Sequence, residues 1–189
     1  MGARGTRAGG TRAGGTRASR AAFTALVAGV GALRIAELRL SARNERALRA
    51  RGGVAHPSQM TAMRAMHGAW FAAMLAEAWA LPTRPRRRLA ALGLAGLGTG
   101  MALRAASQRA LGDRWTATVA TVPGEARVRT GVFRWLRHPN YAGVAVEIAA
   151  VPLVHGAWRT AAVFSALDAA LLAVRIRAEE RALGRGPAG

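Results

Sequence analysis

The sequence has no cysteine, no lysine and only one tyrosine, Tyr141, among its 189 residues. Without cysteine the chain has no disulfide, no thiolate metal ligand and no cysteine nucleophile. The four histidines are His56, His67, His138 and His155, and no two of them are four residues apart. They therefore lack the helical spacing of a zinc-binding pair, and we expect no metal site.

Acidic residues are also scarce, with nine Asp and Glu against 28 basic residues, all of them Arg, and a formal net charge of +19. A nucleic-acid-binding domain carries its basic residues on one face, between aromatic or polar side chains that contact the bases. Here Arg-rich stretches instead alternate with apolar runs of about 15–20 residues, which is typical of a polytopic membrane protein. We therefore predict an integral membrane protein with no nucleic-acid partner; recovery without detergent would favour a soluble basic binder.

The apolar runs predict an all-α fold, a polytopic membrane helical bundle with about five spans. The spans are predicted at 21–38, 61–81, 89–106, 141–155 and 159–176. The last two form a C-terminal helical hairpin with short arms, and Pro152 lies near its tip. Residues 21–183 thus make one domain. The low-complexity tail at 1–20 and the end at 184–189 are expected to be disordered.

The distribution of Arg predicts the orientation of the chain. If the hairpin returns to one side, the first loop, the connector at 104–137 and the C-terminus share that side, and together they carry most of the loop Arg. Cytoplasmic loops of membrane proteins are enriched in Arg and Lys. We therefore expect this side to face the cytoplasm, in a bacterial inner membrane.

Two polar clusters flank the predicted hairpin. One is Arg137-His138-Pro139-Asn140-Tyr141, before it, and the other is Arg175-Ile176-Arg177-Ala178-Glu179-Glu180, after it. A hairpin brings its ends together, so cations, carboxylates, an imidazole and a phenol should meet there, a set that suits an adenosyl cofactor. The alternative is an ordinary set of interfacial anchors with a solvated helix end. Glu147, deeper in the first arm, either faces the same pocket or makes a helix–helix hydrogen bond.

These clusters, with Glu147 and Pro152-Leu153 between them, resemble the isoprenylcysteine carboxyl methyltransferase family across Gly131 to Leu183. The upstream pieces look like the bacterial branch of that family: Ser41-x-Arg43-Asn44, Met66-His67-Gly68, Glu77, Leu111-Gly112-x-x-Trp115 and Val122-Pro123-Gly124. The resemblance covers nearly everything after residue 30.

The resemblance implies a membrane methyltransferase with S-adenosylmethionine as donor and a lipidic acceptor that enters from the bilayer. It implies cofactor-binding roles, which we assign to His138, Pro139, Tyr141, Glu147 and Glu179. It implies catalytic roles, which we assign to Arg175, Arg177 and Glu180. Either arginine could orient the acceptor oxygen or the methionyl carboxylate, and the sequence does not separate these roles.

The expected acceptor is the hydroxyl of an alkylpyrone or alkylphenol, because the bacterial branch is linked to O-methylation of small lipidic phenols and pyrones. The sequence also lacks the longer aromatic tail of eukaryotic relatives. Methyl transfer would be direct, and His138 or a glutamate would take the acceptor proton.

Two alternative functions stay open. One alternative is carboxyl methylation of isoprenylcysteine-type substrates. The other is a non-enzymatic small transporter, with Glu77, Glu147 and Asp168 along its pathway.

The third predicted span carries Gly93, Gly96 and Gly100, a spacing that favours close helix–helix contact. We also expect this span and the hairpin arms to form a lateral gate for the acceptor, because small residues leave room between helices.

Overall fold

The computed structural model describes residues 8–56, 59–83 and 85–184, and these form five α-helices. The helices are α1 (Ala8–Ala50), α2 (Met60–Ala80), α3 (Arg87–Leu111), α4 (Pro139–Leu153) and α5 (Trp158–Gly184). The prediction of an all-α fold is therefore confirmed. The core lies between all five helices and includes Phe23, Val27, Trp70, Met74, Leu97, Ile148, Val151 and Leu172.

Two stretches of the described helices, 17–50 and 87–114, are long and apolar enough to cross a membrane by length and composition. Each of the five predicted spans overlaps one helix, but α4 has only 15 residues. That is about 22 Å of helix, less than a hydrocarbon core of about 30 Å. The count of five spans and a hairpin that crosses the bilayer therefore stay predictions.

Helix α1 begins at Ala8, so residues 8–20 are helical, which differs from the disordered tail predicted for 1–20. The apolar segment after Arg20 provides the helix nucleus, and extending a helix adds one hydrogen bond for each residue fixed. Alanine and arginine favour this extension and offset the glycines in the repeat. Residues 1–7 and 185–189 lie outside the described part of the chain, where the predicted disorder stays a prediction.

Helices α3 and α4 pack backbone against backbone through glycine. A Cβ atom added at Gly93 would lie 2.8 Å from the carbonyl oxygen of Ala150, and one at Gly100 would lie 2.8 Å from that of Gly143. At Gly96 it would lie 2.6 Å from the Ala150 Cβ. The predicted close contact is confirmed. The lateral gate expected at these glycines is wrong, because the two backbones leave no room for a lipid.

Helix α5 follows α4 after a short turn in which Gly156 has a φ of 79°. The first turn of α5 is capped by Glu77 of α2. Its carboxylate accepts hydrogen bonds from the Thr160 N–H at 2.8 Å, the Thr160 hydroxyl at 2.7 Å and the Arg159 N–H at 3.2 Å. Free N–H groups at a helix start need such acceptors. Glu77 is therefore a structural cap, which removes one pathway residue from the transporter alternative.

The connector between α3 and α4 is fastened to the end of α1. The Asn44 side chain donates a hydrogen bond of 2.8 Å to the Trp115 carbonyl, and the Ser41 hydroxyl accepts one of 2.7 Å from the Ala117 N–H. Farther along, β1 (Val54–Ala55) and β2 (Ala120–Thr121) form a small antiparallel sheet that the sequence had not indicated. These contacts hold the connector where α4 begins and α5 ends.

Candidate active site

The two polar clusters meet in the structure. The Tyr141 hydroxyl donates a hydrogen bond of 2.5 Å to Glu179 Oε2 and accepts one of 2.9 Å from Arg175 Nε. His138 Nε2 lies 2.8 Å from Glu180 Oε1. The imidazole also stacks on the Tyr141 ring, with 5.6 Å between centroids and an interplanar angle of 14°. Five of the predicted site residues thus form one connected cluster.

Local sequence explains this convergence. Pro139 occupies the first turn of α4, where its fixed φ suits a helix start and its missing N–H costs nothing. The helix then brings Tyr141 back toward His138. On α5, Arg175 and Glu179 are four residues apart, so both lie on the side of the helix that faces Tyr141. Pro139 itself is fully buried and supports the start of the helix.

The two candidate arginines of α5 have different surroundings. Arg175 is only 4% exposed, and besides Tyr141 it contacts Met60 Sδ at 3.1 Å and the Ala117 carbonyl. The Arg177 side chain is exposed and lies outside the cluster. The structure therefore brings Arg175 into the candidate site and leaves Arg177 out.

Arg127 of the connector belongs to the cluster, although the sequence had not singled it out. Its two terminal nitrogens lie 3.4 Å and 3.2 Å from the two carboxylate oxygens of Glu180. The hydrogen bond from Arg127, followed by that from His138, lowers the pKa of Glu180. No spacing rule distinguishes Arg127 from the other connector arginines, since only the folded connector brings it to α5.

Two cavities meet at Tyr141, which lines both of them. The larger has a volume of about 500 Å³, is lined by residues from all five helices, and has mostly apolar walls. Its apolar lining includes Met63, Trp70, Phe71, Val144, Ile148 and Leu172. The smaller, of about 150 Å³, lies under the connector and has a mixed lining, in which the charged side chains of Arg127, Arg137 and Glu179 lie among apolar ones. A cavity with several charged groups in its wall and a largely apolar cavity thus share the Tyr141 ring.

Glu147 is separate from this cluster. It is buried, and its Oε2 atom lies 3.5 Å from Arg34 Nη1 and 3.9 Å from Arg104 Nε. These partners belong to α1 and α3, so Glu147 makes helix–helix ion pairs. It also lines the larger cavity, at a deeper level than Tyr141.

The chain matches the Isoprenylcysteine carboxyl methyltransferase (ICMT) family over residues 92–185, and it belongs to this family. It is 33% identical over 163 residues to a Bacillus subtilis protein with the name "Uncharacterized protein YpbQ", which covers 85% of this chain and 96% of the relative. A Haemophilus influenzae "Uncharacterized protein" is 30% identical over 154 residues, or 80% of this chain and 89% of the relative. No solved structure matches the chain significantly. The family is one of membrane methyltransferases, and its members use S-adenosylmethionine as the methyl donor.

The residues around the smaller cavity fit such a donor by their chemistry. Arg127 and Arg137 can bind a carboxylate, Glu179 can bind an amine or ribose hydroxyls, and the Tyr141 ring offers an aromatic face to a sulfonium. Pockets that enclose ligands of this size have volumes of about 300–1,000 Å³. The smaller cavity, at about 150 Å³, is therefore too small to enclose the whole of such a cofactor.

Proposed function

We propose that the protein is an integral membrane O-methyltransferase that transfers the methyl group of S-adenosylmethionine to a lipidic phenol or enol, such as an alkylphenol or alkylpyrone. The observation that carries this proposal is the position of Tyr141 on the walls of both cavities. A cavity with Arg127, Arg137 and Glu179 in its wall, on one side, suits a charged cofactor that arrives from water. A largely apolar compartment on the other suits a lipid tail.

We assign the cofactor to the smaller cavity and its rim. His138 and Tyr141 offer aromatic faces, Glu179 and Glu180 bind the polar groups of the cofactor, and Arg127 holds Glu180 in place. Pro139 acts indirectly, by fixing the helix start. We assign no cofactor role to Glu147, because it pairs with Arg34 and Arg104 and lines the larger cavity but not the smaller one. Arg177 is left out of the catalytic set because its side chain is exposed.

When bound, S-adenosylmethionine supplies an already activated methyl group, so no nucleophilic residue is needed. The Tyr141 hydroxyl accepts a hydrogen bond from Arg175 and donates another to Glu179. A second lone pair on this oxygen can accept the hydroxyl proton of the methyl acceptor. In our mechanism the acceptor O–H bond and the S–CH₃ bond of the donor would break as the O–CH₃ bond forms, and S-adenosylhomocysteine would be the leaving group. Tyr141 receives the acceptor proton and passes its own hydroxyl proton to Glu179. Arg175 keeps the Tyr141 oxygen in position through its hydrogen bond.

His138 is a weaker candidate for the proton acceptor. Its Nε2 atom is engaged with Glu180, and His138 is not among the residues that line the larger cavity. We therefore assign proton transfer to Tyr141 and Glu179.

We also propose that the active site faces the cytoplasm from a bacterial inner membrane, in line with the Arg-rich connector. Topology reporters fused after Leu183 and inserted near Arg127 should both report the cytoplasm. Opposite locations for these two reporters would contradict the assignment, since Arg127 contacts Glu180.

The test offers methyl-labelled S-adenosylmethionine to the purified protein in detergent, together with an alkylphenol, an alkylpyrone or an S-farnesyl thioacid. Labelled methyl ethers of the first two should form faster than the methyl ester of the third. Turnover should rise with tail length, because each methylene buried in the larger cavity contributes about 0.8 kcal/mol. Preferred labelling of the thioacid would overturn the acceptor class, and no labelling of any acceptor would overturn the proposed activity.

A further inference from the structure

A second polar cluster lies on the wall of the larger cavity, away from the two motifs of the candidate active site. It consists of Arg34 and Glu37 of α1, Arg104 of α3 and Glu147 of α4. The Glu37 carboxylate is fully engaged. It pairs with Arg34 Nη1 at 2.7 Å, accepts a hydrogen bond of 2.8 Å from Gln108 Nε2, and accepts another from Arg104 Nη2.

Glu147 and Arg34 of this cluster keep buried polar atoms that have no hydrogen-bond partner among the described residues. Glu147 is 5% exposed, and its Oε1 atom has no hydrogen-bond partner among the described residues. Its Oε2 atom lies 3.5 Å from Arg34 Nη1, which is long for a hydrogen bond. Within the described chain, Arg34 Nε and Nη2 are likewise buried without a hydrogen-bond acceptor. Buried polar atoms are nearly always paired, and an acceptor beside donors in a cavity wall can bind the hydroxyl of a ligand or of a water molecule.

The charge of the cluster identifies the kind of group. Two guanidinium groups and two carboxylates balance, so the cluster does not favour an anion such as a phosphate or a cation such as an amine. A hydroxyl fits, because it donates one hydrogen bond to Glu147 Oε1 and accepts another from Arg34. A carbonyl oxygen would leave the carboxylate without a donor.

The position of the cluster sets its distance from the reacting oxygen. Glu147 follows Tyr141 by six residues on α4, which is about 9 Å along the helix axis. Val144, between these levels, and Ile148, next to Glu147, line the cavity and make this stretch of its wall apolar. The larger cavity therefore has two polar ends with an apolar wall between them.

We propose that Arg34 and Glu147 bind a second hydroxyl of the lipidic acceptor, about 9 Å deeper than the oxygen that receives the methyl group. This inference rests on the proposed function and narrows its substrate class to lipids with a hydroxyl on the tail. Arg34 and Glu147 then determine specificity and take no part in methyl transfer.

The test measures binding of two alkylphenols with equal tails, one of which carries a hydroxyl on the tail, to the full-length protein in detergent. When the tail hydroxyl lies about 9 Å from the ring hydroxyl, it should tighten binding to the wild type about ten-fold. This factor corresponds to the free energy of one hydrogen bond to a charged group. This ratio should fall to about one in Arg34→Leu and in Glu147→Leu. Arg64→Leu is the matched control, because Arg64 lines the same cavity but is exposed, and its ratio should stay at the wild-type value.

A ratio of affinities does not depend on the folded fraction, so a partly unfolded variant still gives an answer. Equal binding of both lipids to the wild type at every hydroxyl position would overturn the second contact. An unchanged ratio in both Arg34→Leu and Glu147→Leu would overturn it too. Methyl transfer is measured separately: a ten-fold binding ratio without any transfer would support the hydroxyl contact and count against the proposed function alone.

Discussion

The indole nitrogen of Trp70 donates a hydrogen bond of 3.2 Å to the main-chain carbonyl of Ile148. That carbonyl has no helical donor, because Pro152, four residues later, has no N–H. Both Trp70 and Ile148 are almost fully buried. The bond therefore lets α4 contain a proline without an unsatisfied buried carbonyl, and it joins α2 to the helix that begins at the candidate active site.

The Trp70→Phe substitution should remove this donor and leave the Ile148 carbonyl unsatisfied in the core. We expect a loss of about 1–3 kcal/mol in the free energy of unfolding. It is measured as a lower melting temperature in detergent. Trp158→Phe is the matched control, because Trp158 is 58% exposed. Equal melting temperatures for the two variants would show that the Trp70 bond contributes nothing.

Two glycines of α3, two residues apart, should respond in opposite ways to alanine. A Cβ at Gly100 would lie 2.8 Å from the Gly143 carbonyl oxygen, whereas one at Gly98 would meet nothing within 4 Å. Gly100→Ala should therefore destabilise the protein by about 1–3 kcal/mol through overpacking. Gly98→Ala should be neutral or stabilise the helix by up to about 1 kcal/mol. Thermal melting of both variants decides this, and similar losses would contradict the close contact of α3 with α4.

The acceptor should enter between α1 and α2. Gly31 and Gly68 line the larger cavity, and a Cβ at either would meet nothing within 4 Å. Ile35, 53% exposed, lies on the same wall. Gly68→Leu should fill this opening and slow transfer to long-tailed phenols more than to tail-less ones. Gly98→Leu, on an exposed face of α3, should change neither rate. Equal effects of Gly68→Leu on both acceptor lengths would place the entrance elsewhere.

The contact of Glu180 with Arg127 and His138 should depend on pH in a defined direction. Since the pKa of Glu180 is lowered on folding, the contact stabilises the protein above the unfolded value of about 4.5. This stabilisation is lost as the pH falls through the lowered pKa. The melting-temperature difference between wild type and Glu180→Gln should thus be present above about pH 4.5 and shrink below it. The difference should be small, because Glu180 is partly exposed, and one that grows on acidification would contradict the lowered pKa.

Local signals in the sequence were enough to predict the helices and the two motifs of the site. The apolar runs indicate five helices, and Arg-His-Pro-Asn-Tyr with Arg-Ile-Arg-x-Glu-Glu carries the residues that meet at Tyr141. The choice between Arg175 and Arg177 was not predictable. It depends on the rotation of α5 against α4, which only the packed core determines.

Other features depend on contacts between residues distant in sequence. Arg127 reaches Glu180 across 53 positions, and Glu77 caps a helix whose first turn lies 83 residues later. The prediction of a lateral gate at the glycines of α3 is wrong for a related reason. Glycine spacing predicts close approach of helices, but whether that closes a gap or leaves one depends on the partner helix.

The most direct test of a site shared by two cavities is the rate of methyl transfer by Tyr141→Phe. The variant keeps the aromatic ring and loses only the oxygen that contacts Arg175 and Glu179. With saturating S-adenosylmethionine and a long-tailed alkylphenol, kcat should fall by roughly 10²–10⁴-fold, as for loss of a proton-transfer group. The affinity for the cofactor, measured by calorimetry, should stay within a few-fold of wild type. Wild-type turnover by Tyr141→Phe would contradict the central role of this residue.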